Sequence, residues 1–119
     1  MDGQTERLII LQDLLELRQE MSDGAEVEEL ERMGFALGRR DDALAEIDAA
    51  VAGLRREILP SLLRRFERVA SKYRRPLAPV RRGTCYGCFT RFPAGRPESA
   101  AGPDGVPACP NCGRFVYWI

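Results

Sequence analysis

The sequence predicts an α+β chain, with helices first and a small cysteine-rich β unit last. Three observations predict it. Apolar residues recur at three- and four-residue steps from Leu8 to Ile58, the period of helices that pack on one another. Pro60 then opens a shorter amphipathic stretch. All four cysteines fall into two Cys-x-x-Cys pairs, Cys85/Cys88 and Cys109/Cys112, with twenty residues between the pairs. That spacing suits a tetrahedral metal site built from two tight turns, or knuckles, each aiming two sulfurs at one ion. The expected architecture is an N-terminal helical hairpin or coiled coil followed by a small C-terminal four-cysteine zinc ribbon, divided into 1–75 and 76–119.

The first helix is expected over 5–21, capped by Thr5, with Leu8, Leu11 and Leu15 and then Leu14, Leu17 and Met21 on its apolar faces. Ser22-Asp23-Gly24 breaks it, and Asp23 with Glu26 resembles a capping box for the next helix. The seam then runs Val27, Leu30, Met33, Leu37, Leu44, Ile47, Val51, Leu54, Ile58, with Arg40 in one seam position. Gly34 and Gly38 predict a kink or reversal near 34–41, with Asp41 as N-cap of the following helix. The hairpin reverses at 22–24, at 38–41 or at both.

The helix from Pro60 is expected to run to 73 and to bury Leu62, Leu63, Phe66, Val69, Ala70 and Tyr73. Arg64, Arg68, Lys72 and Arg75 would stand in one row on its other face. Pro76-Leu77-Ala78-Pro79 reads as a rigid extended link, and Val80-Arg81-Arg82 leads into the first knuckle. Thr84, Phe89, Thr90 and Phe92 suit strands around that knuckle. Residues 93–105 hold three Pro and three Gly and read as an exposed loop ending in an Asp104-Gly105 turn. Residues 106–109 and 114–118 form a hairpin closed by the second knuckle, with Gly113 at a positive φ. The apolar tail from Phe115 to Ile119 is expected to pack on the hairpin or on the preceding helix.

The chemistry follows from the cysteines. Two disulfides would need an oxidising compartment, and a redox dithiol usually has one Cys-x-x-Cys beside a βαβ pattern. Iron in an all-cysteine site shares this spacing. A catalytic zinc keeps an open position, whereas Cys85, Cys88, Cys109 and Cys112 would close the shell, so the expected cofactor is structural Zn2+. The chain has no His, so no imidazole ligand or base is available. Asp41-Asp42 and Glu28-Glu29 read as solvated helix faces rather than catalytic carboxylates. No enzyme is expected.

The formal net charge of 0 conceals two halves. Residues 1–54 carry 14 acidic and 5 basic side chains, and residues 55–96 carry 2 acidic and 12 basic. A basic second half suggests a polyanion partner, and the alternative is that the halves neutralise each other within the fold or in a homodimer. The candidate nucleic-acid contacts are Arg64, Arg68, Lys72, Arg75, Arg81 and Arg82, with Tyr86, Phe89 and Phe92 as stacking faces for RNA or single-stranded DNA. Asp2, Glu6, Asp13, Glu16 and Glu20 are wrong for a signal peptide, and no apolar run spans a bilayer. A cytoplasmic location without a membrane partner is expected.

The run Ile58-Leu59-Pro60-Ser61-Leu62-Leu63, then Phe66-Glu67-Arg68, Ala78-Pro79-Val80, Gly83-x-Cys85-x-Gly87-Cys88 and Cys109-Pro110-Asn111-Cys112-Gly113-Arg114-x-x-Tyr117 resembles the bacterial C4-type zinc-ribbon proteins with an N-terminal helical coiled coil. Leu11-Gln12-Asp13 is similar to their helix opening. The helical part here is much shorter than in the long members, and the loop between the knuckles is richer in Pro and Gly. The resemblance implies a non-enzymatic adaptor that binds nucleic acid or a protein partner of the transcription or translation machinery. A second resemblance is to factors that enter the RNA polymerase secondary channel through an acidic hairpin tip, which here would need Asp41-Asp42 at the tip.

Overall fold

The computed structural model describes residues 3–23, 28–29, 31–34, 40–92 and 104–119. Three helices come first, α1 (Gly3–Ser22), α2 (Arg40–Glu57) and α3 (Pro60–Ala70). Three strands follow, β1 (Leu77–Arg81), β2 (Thr84–Cys85) and β3 (Phe115–Trp118). The architecture is α+β, as expected.

α1 and α2 pack as an antiparallel hairpin. Near one end, the Gln4 amide donates to the Glu57 carbonyl and Arg7 pairs with Glu57; near the other, Arg18 pairs with Asp48. Leu8 and Leu11 of α1 are fully buried. Thr5 is not the cap: α1 begins two residues earlier, and Thr5 lies inside it at 4% exposure. The intervening seam does not run straight through. Residues 31–32 are helical and end at Gly34, whose φ of +88 turns the chain, and Met33 is 67% exposed. Val27, Leu30, Leu37, Gly38 and the proposed cap partner Glu26 lie outside the described residues. Asp41 stands with Asp42 in the first turn of α2 rather than at its cap, where acidic groups complement the exposed N–H ends of the helix.

Pro60 sits in the first turn of α3, as its missing N–H allows. The Leu59 N–H just before it is satisfied by Gln4 Oε1 at 3.0 Å. α3 ends at Ala70, three residues short of expectation. Its end is closed by Ser71, whose N–H bonds back into the last turn and whose hydroxyl donates to the Arg68 carbonyl at 2.6 Å. Lys72 and Arg75 therefore lie beyond the helix, and Ala70 is exposed rather than buried.

Residues 76–79 are not a link. Leu77–Arg81 is the central strand of the sheet, in the order β2-β1-β3. β1 pairs antiparallel with β2 (Val80 opposite Cys85) and parallel with β3 (Leu77 opposite Phe115). Pro79 has no N–H to donate and is tolerated because the ladder with β2 ends beside it, where its carbonyl accepts the Tyr86 N–H at 2.9 Å. Strand alternation then sorts the side chains. Leu77 and Phe115 face the helices and join Leu8, Leu11, Ile58, Leu62, Phe66 and Val106 in one core. Ala78, Val80 and Val116 face the other way and join Cys85, Cys109 and Phe92 in a second. The sheet is thus a wall between the helical layer and the cysteines. Gln12, 2% exposed, fastens the two halves: its Oε1 accepts the Leu77 N–H at 2.7 Å. The tail packs in the sheet as β3, leaving Ile119 exposed.

Candidate metal centre

Both knuckles have the same backbone wiring. In the first, the Phe89 N–H donates to the Cys85 carbonyl at 2.7 Å and the Cys85 N–H to the Thr90 carbonyl at 3.0 Å. In the second, the Gly113 N–H donates to the Cys109 carbonyl at 2.9 Å and the Cys109 N–H to the Arg114 carbonyl at 2.8 Å. The Cys85 sulfur accepts N–H groups from Gly87 and Cys88, and the Cys109 sulfur from Asn111 and Cys112. The residue after each second cysteine is left-handed, Phe89 at φ 59 and Gly113 at φ 82. Glycine adopts that conformation without strain; a phenylalanine there costs about 1–3 kcal/mol.

The four sulfurs all lie within 4.8 Å of one another. Cys85 and Cys112 sulfurs are 4.0 Å apart, and those of Cys88 and Cys109 3.7 Å. Four thiolates at about 2.3 Å from one zinc would be separated by about 3.8 Å along each tetrahedral edge. The residues therefore form a cluster able to hold a metal ion, and the cysteines predicted as ligands are the ones brought together.

Before metal, the thiols are unequal. Burial pushes Cys85 up to about 12 and also raises Cys109. Burial also pushes Cys88 up, but hydrogen bonds from the Thr90 side chain, from Asn111 and from the Thr90 N–H outweigh it and bring it to about 6. Asn111 Nδ2 donates to Thr90 Oγ1 at 2.9 Å, joining the knuckles around the Cys88 sulfur.

Tyr73 and Arg114 lock this unit onto the helices. The Arg114 guanidinium lies 3.8 Å over the Tyr73 ring and its Nε donates to the Arg75 carbonyl at 3.1 Å. Gly87 leaves room for that arginine: a Cβ there would fall 2.7 Å from Arg114 Cδ and 3.1 Å from the Ala78 Cβ. The Arg65 guanidinium stacks on the Phe115 ring at 4.6 Å and pairs with buried Asp104, holding the turn before Val106 against α3. Arg65 and Tyr73 act through partners about 40 residues on, and no local pattern announces that.

The predicted basic row divides into two groups. Arg64 and Arg68 are exposed on α3, and Lys72 is exposed in the turn after it. Arg68 and Lys72 line a shallow groove with Cys112 and Gly113. Arg81 ends β1, and Arg82 at φ 53 begins the turn into β2. Arg75 does not continue the row; it pairs with Glu16 and Asp13 of α1, beside Arg74, which also pairs with Glu16. Tyr86 and Phe89 are exposed, whereas Phe92 is buried against the cysteines and offers no stacking face. Asp41 and Asp42 are exposed at the end of α2 to which the chain returns from α1.

Among the described residues no helix is long and apolar enough to cross a membrane. No protein-family model, no curated protein and no solved structure matches the chain.

Proposed function

We propose that the chain is a non-enzymatic, zinc-stabilised ribbon module that binds nucleic acid through its exposed arginines and lysine. Zinc held by Cys85, Cys88, Cys109 and Cys112 is structural, because four thiolates leave no coordination position for substrate. It supplies folding energy to a unit with little core of its own.

One observation carries the binding reading. Internal pairing takes up only part of the basic set, and of the acidic half it uses Asp13, Glu16 and Asp48 among the described residues. Arg7, Arg18, Arg55, Arg65, Arg74 and Arg75 each pair with a carboxylate. Arg64, Arg68, Lys72, Arg81 and Arg82 are exposed and form no ion pair among the described residues. This favours a polyanion partner over internal neutralisation.

Titration of the zinc-loaded protein with labelled RNA and single-stranded DNA tests it. Contact with roughly four to six phosphates gives log K against log salt a slope of about −3 to −4. Replacing Arg64, Arg68 and Lys72 together by Ala lowers that slope by about two and leaves the zinc content unchanged. Binding weaker than about 100 μM at low salt overturns the reading and assigns the module to a protein partner.

A further inference from the structure

We propose that Tyr86 and Phe89 on the first knuckle form a base-stacking platform, so that the nucleic acid bound is single-stranded. The inference rests on the nucleic-acid reading above and names the form of the ligand.

Phe89 and Gly113 occupy the same place in two knuckles with the same hydrogen bonds. Both must be left-handed, and the second knuckle uses the residue suited to that. The first carries a phenylalanine that is strained there and is 75% exposed. It contributes little to the core and works against its own turn, so folding does not account for it. Its ring stacks with that of Tyr86, also exposed, with centroids 6.0 Å apart and planes at 29°. The pair is mounted on a turn whose first cysteine is fully buried, so the rings are presented in a fixed position.

The surroundings select the occupant. Arg81 stands opposite Thr84 in the β1–β2 pairing, and Arg91 bridges to Thr84 from the other side. Residues directly opposite share a face, so Arg81, Thr84 and Arg91 form one row across the ladder. Tyr86 begins the turn directly after β2, where its N–H donates to the Pro79 carbonyl at 2.9 Å. Two exposed aromatic rings and two exposed arginines, Arg81 and Arg91, thus belong to the same short unit around β2 and the first knuckle. The sequence from Lys72 to Phe92 contains no acidic residue. Rings without cations would suit an apolar peptide, and cations without rings would suit any polyanion. The combination suits unpaired bases joined by phosphates, since stacking needs a base face that a duplex keeps covered.

The test uses the full zinc-loaded chain with a labelled oligouridine and oligothymidine of about twelve nucleotides and a duplex of equal length. Phe89→Gly copies the second knuckle, so it should keep one zinc per chain and hold or raise the Tm. It should weaken single-strand binding about tenfold, change duplex binding by less than about twofold, and leave the salt slope unaltered. Tyr86→Ala should act in the same direction, and Phe89→Trp should restore binding. If the wild type binds the single strands but Phe89→Gly and Tyr86→Ala bind them equally well, the platform is overturned while the basic contacts stand. Equal losses on single strand and duplex overturn it also. If the wild type binds neither, the nucleic-acid reading itself falls.

Discussion

The Tyr73 hydroxyl donates to the main-chain carbonyl of Cys112 at 2.8 Å, fastening the turn after α3 to the second knuckle. Removing that hydroxyl leaves a part-buried carbonyl without its partner next to a predicted metal ligand. Tyr73→Phe is expected to cost about 1 kcal/mol. It should also speed transfer of zinc to a competing chelator, followed by a metallochromic dye. An unchanged transfer rate would mean that the bond does not support the knuckle.

Purified protein is expected to contain one zinc per chain by elemental analysis, with an apparent binding free energy of about 10–16 kcal/mol. Cys112→Ser should lose the metal. Because Phe115 and Val106 belong to the helical core, that loss should lower the thermal stability of the helices as well. Iron in place of zinc would correct the metal, and absence of both would refute the site.

Asp104→Asn leaves the Arg65 guanidinium without its buried counter-charge. The expected cost is about 3 kcal/mol, read from chemical denaturation of the zinc-loaded protein. A change below the error of extrapolation would show that the pair is not coupled to folding.

Gln12→Leu makes a buried position more apolar yet should destabilise the protein. The Leu77 N–H loses its acceptor, at about 1–3 kcal/mol, which outweighs the gain from removing an amide whose Nε2 has no hydrogen-bond partner. A stabilised variant would show that the Leu77 N–H finds another acceptor.

Burial raises the Tyr117 pKa above its ordinary value, against the lowering effect of Arg75. The folded chain therefore holds this proton to higher pH than the unfolded chain. The associated stability is complete below about pH 10 and is lost as pH rises through the folded value. Absorbance titration of phenolate in wild type against Tyr117→Phe should show one tyrosine ionising late.

The four-cysteine cluster was legible in the sequence because a knuckle is local: its two cysteines, its glycine and its turn lie within six residues. Pro60 marked the start of α3 for the same reason. β1 was hidden. Pro76 and Pro79 look like a link, and the strand's parallel partner lies 38 residues away, from Leu77 to Phe115. The row through Arg75 was over-extended because helical spacing carries no information about where Ser71 closes the helix. Thr5 looked like a cap, but tertiary packing against α2 carries the helix past it.

The wall formed by β1 also determines how the molecule can open. Leu77 is held by a glutamine of α1, Ala78 and Val80 are buried on the cysteine side, and both edges of the strand are paired. Neither half can fray without exposing the other. Amide hydrogens along β1 should therefore exchange with solvent only through the largest opening the chain undergoes. By reciprocity, a cavity cut at Leu8, in α1 and facing the helical core, should loosen the hold on zinc across the sheet.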